Sequence, residues 1–171
     1  MRRIVILGCP GSGKSTLATR LGERLGLPVI HLDTLYWLPG WQAPDSASYH
    51  ARFAEAFAAE AWISEGNFIE TFATRLPRAD LVIILDRPRW ACLWRVLRRA
   101  FLERHARADL PAGCGETLDW QLLRNVWRYD REMKPRVEAA RLALGGHIPM
   151  VRLRSDSEAA VYLRRLTPAL P

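Results

Sequence analysis

The sequence predicts an α/β fold in which a parallel sheet of about five strands lies between layers of helices. Three observations lead there. Short, uninterrupted apolar runs such as Ile4-Val5-Ile6-Leu7 suit strands buried on both faces of a parallel sheet. Segments with apolar residues three and four apart separate those runs, as crossover helices would. A glycine-rich turn joins the first apolar run to the first helical segment. In open sheets of this kind, ligands bind at the carboxyl ends of the strands.

Taken in order, residues 4–7 form the first strand. A helix follows from Lys14 to about Leu25, with Leu17, Ala18, Leu21 and Leu25 on one face and Gly26 ending it. "LPVIHLD" predicts a second strand ending at Asp33, "AWISEGN" a third, "ADLVIILD" a fourth and "HIPMVRL" a fifth. Helical patterns cover 48–61, 89–107, 117–144 with a bend or break near Pro135, and 158–166. Two stretches, "TLYWLPGWQAPDSASY" and "RADLPAGCGETLDW", are rich in Pro, Gly and turn formers. They are expected to pass over the binding edge of the sheet, where lids sit. The expected organisation is one domain over 1–171, with an acceptor-binding excursion at 34–61 and a lid segment at 104–119.

Composition narrows the class. With 49% hydrophobic and 25% charged residues, the chain suits an ordinary globular core. Its net charge of +7 is uneven: residues 1–70 carry 6 basic and 7 acidic groups, and residues 71–171 carry 19 and 11. A basic second half suits an anionic ligand. Cys9, Cys92 and Cys114 are odd in number and lack C-x-x-C spacing, which argues against a disulfide framework or zinc site and for a reducing, cytoplasmic setting. No apolar stretch reaches the roughly 18 residues that a membrane span needs, and no membrane partner is expected.

Gly8-Cys9-Pro10-Gly11-Ser12-Gly13-Lys14-Ser15 matches G-x-x-x-x-G-K-[ST] completely, between a strand and a helix. Permissive glycines let successive backbone N–H groups converge on phosphates, and the N-terminus of the following helix adds a favourable dipole. Lys14 is one of only two lysines among 25 basic residues. A compact ammonium on a flexible stem fits inside such a loop, where the planar fork of arginine would not. The match predicts a P-loop NTPase three-layer sandwich. Gly8, Pro10, Gly11, Ser12, Gly13, Lys14, Ser15 and Thr16 are the candidates for holding ATP. Lys14 reaches the outer phosphates and Ser15 the Mg²⁺.

A GTPase would show N-K-x-D and D-x-x-G, and neither occurs. What remains is the small-kinase class. The third strand ends in "WISEGN", with Glu65 before Gly66, and "LVIILDRPRWACLWRVLRR" carries Asp86 and then an R-x-x-x-R pair, Arg95 and Arg99. On these motifs the chain resembles adenylate kinase-like proteins along its length. Within that group it is similar to the branch labelled DNA topology modulation proteins through "HLDTLYWLPGW", "WISEGN", "RADLPAGCGE" and "VWRYDREMKPR". The resemblance implies transfer of the γ-phosphoryl of ATP, with Mg²⁺, to a small acceptor, a nucleotide or nucleoside being candidates, and a lid that closes over the site. Adenylate as acceptor is at odds with "EGNFIE", which lacks the arginine of D-G-x-P-R, the next being Arg75.

Arg95 and Arg99, four apart, project from one helix face and are placed by the resemblance to stabilise charge on the transferring phosphoryl. Asp33 is a candidate general base for a hydroxyl acceptor or a partner of the magnesium shell. Glu65 is a candidate carboxylate for the metal, beside Ser15. Asp86 is expected to cap the turn before Pro88, and His31 to be a satisfied strand histidine. Arg124, Arg128 and Arg131 read as a solvated face. Trp62, Trp90, Trp94 and Trp127 are expected in core or hinge packing, while Trp37 and Trp41 on the excursion are candidates for stacking on a planar ligand. Nucleic acid is expected to bind weakly at most. The reading from a different class is a nucleotide-gated regulatory or DNA-associated protein without an acceptor of its own.

Overall fold

The computed structural model describes residues 1–102, 113–114 and 120–166. Strands β1 (Arg3–Gly8), β2 (Val29–His31), β3 (Trp62–Glu65), β4 (Leu81–Leu85) and β5 (Met150–Leu153) form one sheet in the order β2-β3-β1-β4-β5. Every pairing is parallel. The three central strands are buried almost throughout; β1 and β4 accordingly read as apolar runs, while β3 ends in buried Ser64 and Glu65.

Helices α1 (Lys14–Leu25), α2 (Leu32–Tyr36), α3 (Ser46–Ala58), α4 (Phe72–Arg75), α5 (Arg89–Leu102), α6 (Trp120–Glu132), α7 (Lys134–Gly145) and α8 (Asp156–Arg165) complete the described elements. Alternate strand residues face opposite layers. Val5, Leu7, Trp62, Val82 and Ile84 pack against Tyr49, Phe53 and Phe57 of α3, Phe72 of α4 and Val137 of α7. Ile4, Ile6, Ile63, Leu81, Ile83 and Leu85 pack against Leu17, Ala18 and Leu21 of α1 and the inner face of α8. A third cluster, Cys9, Cys92, Val96, Val126 and Tyr129, fixes α5 and α6 beside the carboxyl edge of the sheet.

The structure corrects several element bounds. β2 stops at His31 because the chain turns at buried Leu32 into α2, so Asp33 lies in the first turn of a short helix, exposed, rather than at a strand end. α3 starts at Ser46, where the Asp45 carboxylate accepts from Ser48 N, and it ends at Ala58. The 117–144 pattern divides at Met133. Pro135 falls in the first turn of α7, where its missing N–H costs no helical hydrogen bond. α8 starts at Asp156, capped by Ser155, two residues before the expected start. Between β3 and β4, two 3₁₀ turns (Ile69–Thr71 and Leu76–Arg78) flank α4, and each is too short to show a period. The expected helix over 89–107 is described as far as Leu102, and of the 104–119 lid segment only Gly113 and Cys114 lie within the described residues.

The tryptophans divide. Trp62 is fully buried as expected, but Trp90, Trp94 and Trp127 are 70%, 65% and 52% exposed. α5 turns Cys92 and Val96 inward, and Trp94 sits two residues from each, about 200° around the helix. Among the described residues, no helix is long and apolar enough to cross a membrane.

Candidate active site

β1 delivers the chain to Gly8, whose φ of 149° and surroundings exclude a side chain: a Cβ there would stand 2.6 Å from the Leu85 carbonyl oxygen. At Gly11 (φ 79°) a Cβ would stand 2.5 Å from the Cys92 carbonyl oxygen, so the loop lies directly against the start of α5. Ser12 N donates to Cys9 O at 3.0 Å, closing the loop. Lys14 Nζ also donates to Cys9 O, at 3.1 Å, which folds the ammonium over the backbone cradle. α1 begins at Lys14 with Gly13 as a left-handed N-cap that offers no side-chain acceptor, so the first N–H groups are not satisfied by a cap.

The parallel register sets His31 beside Glu65 and Glu65 beside Ile6. Glu65 is 3% exposed, a buried carboxylate rather than a surface loop acid. Its Oε1 accepts from Ser15 Oγ at 3.1 Å and lies 2.9 Å from His31 Nδ1. His31, read from sequence as merely satisfied, thus orients the carboxylate that faces the P-loop serine. Asn67 follows in the same turn. Its Oδ1 accepts from Gly8 N at 3.0 Å and its Nδ2 donates to Gly8 O at 2.8 Å.

Arg75 does not offer a charge to an acceptor. It is fully buried, donates to Thr71 Oγ1, Ser64 Oγ and the Gly66 carbonyl, and stacks on Phe72. Burial pulls its pKa down to about 9, while Glu65 and Glu70 oppose that shift. The guanidinium is a brace for the turn that carries Glu65 and Asn67.

On the other side of the loop, Arg95 Nη1 donates to Ser12 O at 3.1 Å and Nη2 pairs with Asp156. Arg87, nearly buried, pairs with the same carboxylate at 3.1 Å. Arg99 lies one turn along α5, half-buried, while Arg98 is exposed. Asp86 does not cap the turn. Its two oxygens pair with Lys134 Nζ at 2.6 Å and Arg152 Nη1 at 3.1 Å, because the carboxyl end of β4 faces α7 and β5. Burial works against its charge, but these two partners prevail and hold the carboxyl below its usual range. Beneath the loop, Cys9 Sγ donates to Val126 O at 3.9 Å, and the neighbouring Cys92 thiol and burial push the Cys9 thiol up.

The excursion meets the described part of the lid segment. Gly40 N donates to Gly113 O at 3.2 Å, and Trp41 N lies 3.3 Å from Cys114 Sγ. Aromatic rings run from there toward the loop: Trp41 to Trp37 at 5.7 Å, Trp37 to Tyr36 at 4.8 Å and Tyr36 to Phe68 at 5.1 Å between centroids.

A loop whose glycines let it pack tightly on β4 and α5, an ammonium folded over its backbone and a helix N-terminus suit a chain of phosphates. Ser15 and Glu65 form a hard-oxygen pair suited to Mg²⁺, an ion that takes few protein ligands and completes its shell with phosphate oxygens and water. Among the described residues, no group of three or more His, Cys, Asp or Glu side chains gathers to hold a metal unaided.

No protein-family model matches the chain. An adenylate kinase of Mycobacterium leprae is 53% identical over 34 residues, 20% of this chain and 19% of that protein. An adenylate kinase of Kocuria rhizophila is 47% identical over 36 residues, 21% of this chain and 19% of that protein. These matches therefore span about a fifth of the relatives' length. Over the whole fold, a shikimate kinase from Acinetobacter baumannii in complex with shikimate superposes with a TM-score of 0.55 at 17% identity, covering 96% of this chain and 90% of that one. Sheet, helical layers and this superposition agree: the chain has the α/β fold of P-loop NTPases.

Proposed function

We propose that the protein is a P-loop kinase that moves the γ-phosphoryl group of ATP, with Mg²⁺, onto a small acceptor. The observation that carries this reading is the convergence of Lys14, Ser15 and Glu65 on one loop, with Ser15 Oγ already 3.1 Å from Glu65 Oε1. ATP supplies the transferable group, and Mg²⁺ neutralises charge on its phosphates. The chain does the rest. Gly8 to Thr16 hold the phosphates, Lys14 places a charge at the outer two, and Ser15 with Glu65 fixes the metal. Arg95 and Arg99 stabilise the charge that develops on transfer, and Asp33 takes the acceptor proton. Closure of the lid segment excludes water.

Lys14→Ala tests this reading. ATP binding, followed by calorimetry, should weaken and phosphoryl transfer should vanish while circular dichroism stays unchanged. Unaltered ATP affinity and turnover in a folded variant would refute it.

A second reading, a nucleotide-gated protein that associates with DNA, draws on Arg124, Arg128 and Arg131, exposed on α6, and on exposed Trp90 and Trp94 of α5. Under the kinase reading, duplex binding is weak, non-specific and steeply lost with added salt. Tight binding near physiological salt, unaffected by Lys14→Ala, would favour the second.

A further inference from the structure

β4 and β5 lie on one side of the P-loop strand, and their carboxyl ends lead into α5 and α8. Asp86 N donates to Leu153 O at 3.0 Å, which holds the two strand ends together. Arg87 follows β4, and Asp156 opens α8. The start of α8 is fixed twice. Ser155 Oγ accepts from Glu158 N at 3.1 Å, and the Glu158 carboxylate accepts from Arg154 N at 2.7 Å.

An ion pair in water contributes little, because both side chains must be ordered to form it. Asp156 differs, although its side chain is 75% exposed. Its Oδ1 lies 3.1 Å from Nη2 of Arg87, whose own side chain is 4% exposed. Arg87 Nε and Nη1 are buried and have no hydrogen-bond partner among the described residues, so this guanidinium depends on Asp156. Burial pulls the Arg87 pKa down, and Asp156 opposes that shift. One oxygen of the carboxylate is thus anchored from inside the protein, and the other takes Arg95 Nη2. Arg95 Nη1 in turn donates to Ser12 O at 3.1 Å, and a Cβ on Gly13 would stand 3.5 Å from it. A guanidinium carries five N–H donors in one plane. These two contacts fix that plane beside the loop and leave donors for a phosphate.

We infer that Arg87 and Asp156 are positioning residues for phosphoryl transfer: Arg87 anchors Asp156, and Asp156 sets the Arg95 guanidinium against the P-loop before ATP arrives. This rests on the kinase reading above. Both residues act through Arg95, so their contribution is orientation of a charge that stabilises the transition state.

Two readouts test it, and neither requires the acceptor to be known. The first is side-chain NMR of Arg95, assigned by the loss of its signals in Arg95→Ala. Rotation about its Nε–Cζ bond should be slow in the wild type and fast in Asp156→Asn and Arg87→Met. The second is ADP release from Mg²⁺-ATP with water as acceptor, beside ATP affinity by calorimetry. In that reaction a water oxygen bonds to the γ-phosphorus as the bond to the β–γ bridging oxygen breaks, giving ADP and inorganic phosphate. Asp156→Asn should slow it by about 10–10²-fold with ATP affinity nearly unchanged, less than the 10²–10³-fold expected for Arg95→Ala. Asp156→Glu, which keeps the charge, should recover part of the rate. In an Arg95→Ala background Asp156→Asn should add nothing, an outcome that a merely structural role would not give. If Asp156→Asn fails to fold because Arg87 is left unpaired, Arg87→Met combined with Asp156→Asn removes both charges and should show the same loss. Where ADP release in water is immeasurably slow, the rotation rates alone decide. Fast Arg95 rotation in the wild type, or losses from Asp156→Asn that add to those of Arg95→Ala, overturns the inference and leaves the kinase reading standing. A folded protein that does not bind Mg²⁺-ATP removes the kinase reading and this inference with it.

Discussion

Asn67 grips Gly8 from both sides, accepting from its N–H at 3.0 Å and donating to its carbonyl at 2.8 Å. One side chain thereby satisfies both backbone groups of the residue at which β1 becomes the phosphate loop. Tyr129 is buried, and burial raises its pKa, so it stays a neutral phenol. Asn67→Ala leaves two backbone groups short of a partner, at a cost of about 1–3 kcal/mol. ATP affinity should fall by roughly tenfold for each 1.4 kcal/mol of that cost that reaches the loop's binding geometry. Asn67→Asp should be worse, because it sets an acceptor against the Gly8 carbonyl. Calorimetric titration with ATP and thermal melts check both.

Arg95 and Arg99 lie about 40° apart around α5, and Arg98 lies about 60° from Arg95 and about 100° from Arg99. Arg95 already touches the loop through Ser12 O. Arg95→Ala and Arg99→Ala should each lower kcat by about 10²–10³-fold with little change in ground-state binding. Arg98→Ala, at an exposed position, should stay near wild-type turnover. Equal, mild effects from all three would reduce this helix to a basic surface.

Gly11 and Gly26 both adopt positive φ, 79° and 65°, but only Gly11 faces a neighbour that a Cβ would strike. Gly26→Ala should cost about 1 kcal/mol, for the left-handed backbone alone. Gly11→Ala adds a clash with the Cys92 carbonyl, so it should cost distinctly more and also weaken ATP binding. Urea melts of the two variants, compared side by side, measure the difference.

Asp86 and Glu138 are both held below the usual carboxylate range. Burial opposes the charge in each, and Lys134, Arg152 and Arg141 outweigh it. A depressed folded-state pKa stabilises the fold fully above the unfolded pKa, and that stability is lost as pH falls through the folded value. Asp86→Asn should therefore destabilise by about 1–2 kcal/mol at pH 7, an amount that already allows for the partial exposure of the pair. The gap between wild type and variant should start to narrow as pH falls below about 4 and close once pH has passed below the depressed pKa of the wild-type carboxyl. Urea midpoints at pH 7, 5 and 3 follow it.

Much of this was legible along the chain, because some features depend only on local spacing. β1 and β4, buried strands, are continuous apolar runs, and shorter apolar stretches between turn residues marked the other three. The P-loop needs its glycines, Lys14 and Ser15 at fixed offsets, so the cradle was visible too. The ends of β2 and α3 and the short helices after β2 and β3 were not, since a single turn has no period to detect. Pairings across the sheet were equally invisible. Register brings His31 to Glu65, and tertiary packing brings Ser15 to the same oxygen and Asn67 to Gly8. Asp86 read as a turn cap because its partners, Lys134 and Arg152, are 48 and 66 residues away. Arg75 read as the nearest arginine available to an acceptor, and only packing around Phe72 and Gly66 spends it inside the fold. Spacing determined which residues form the cradle; burial and long-range pairing decided which of the other charges remain available to a ligand.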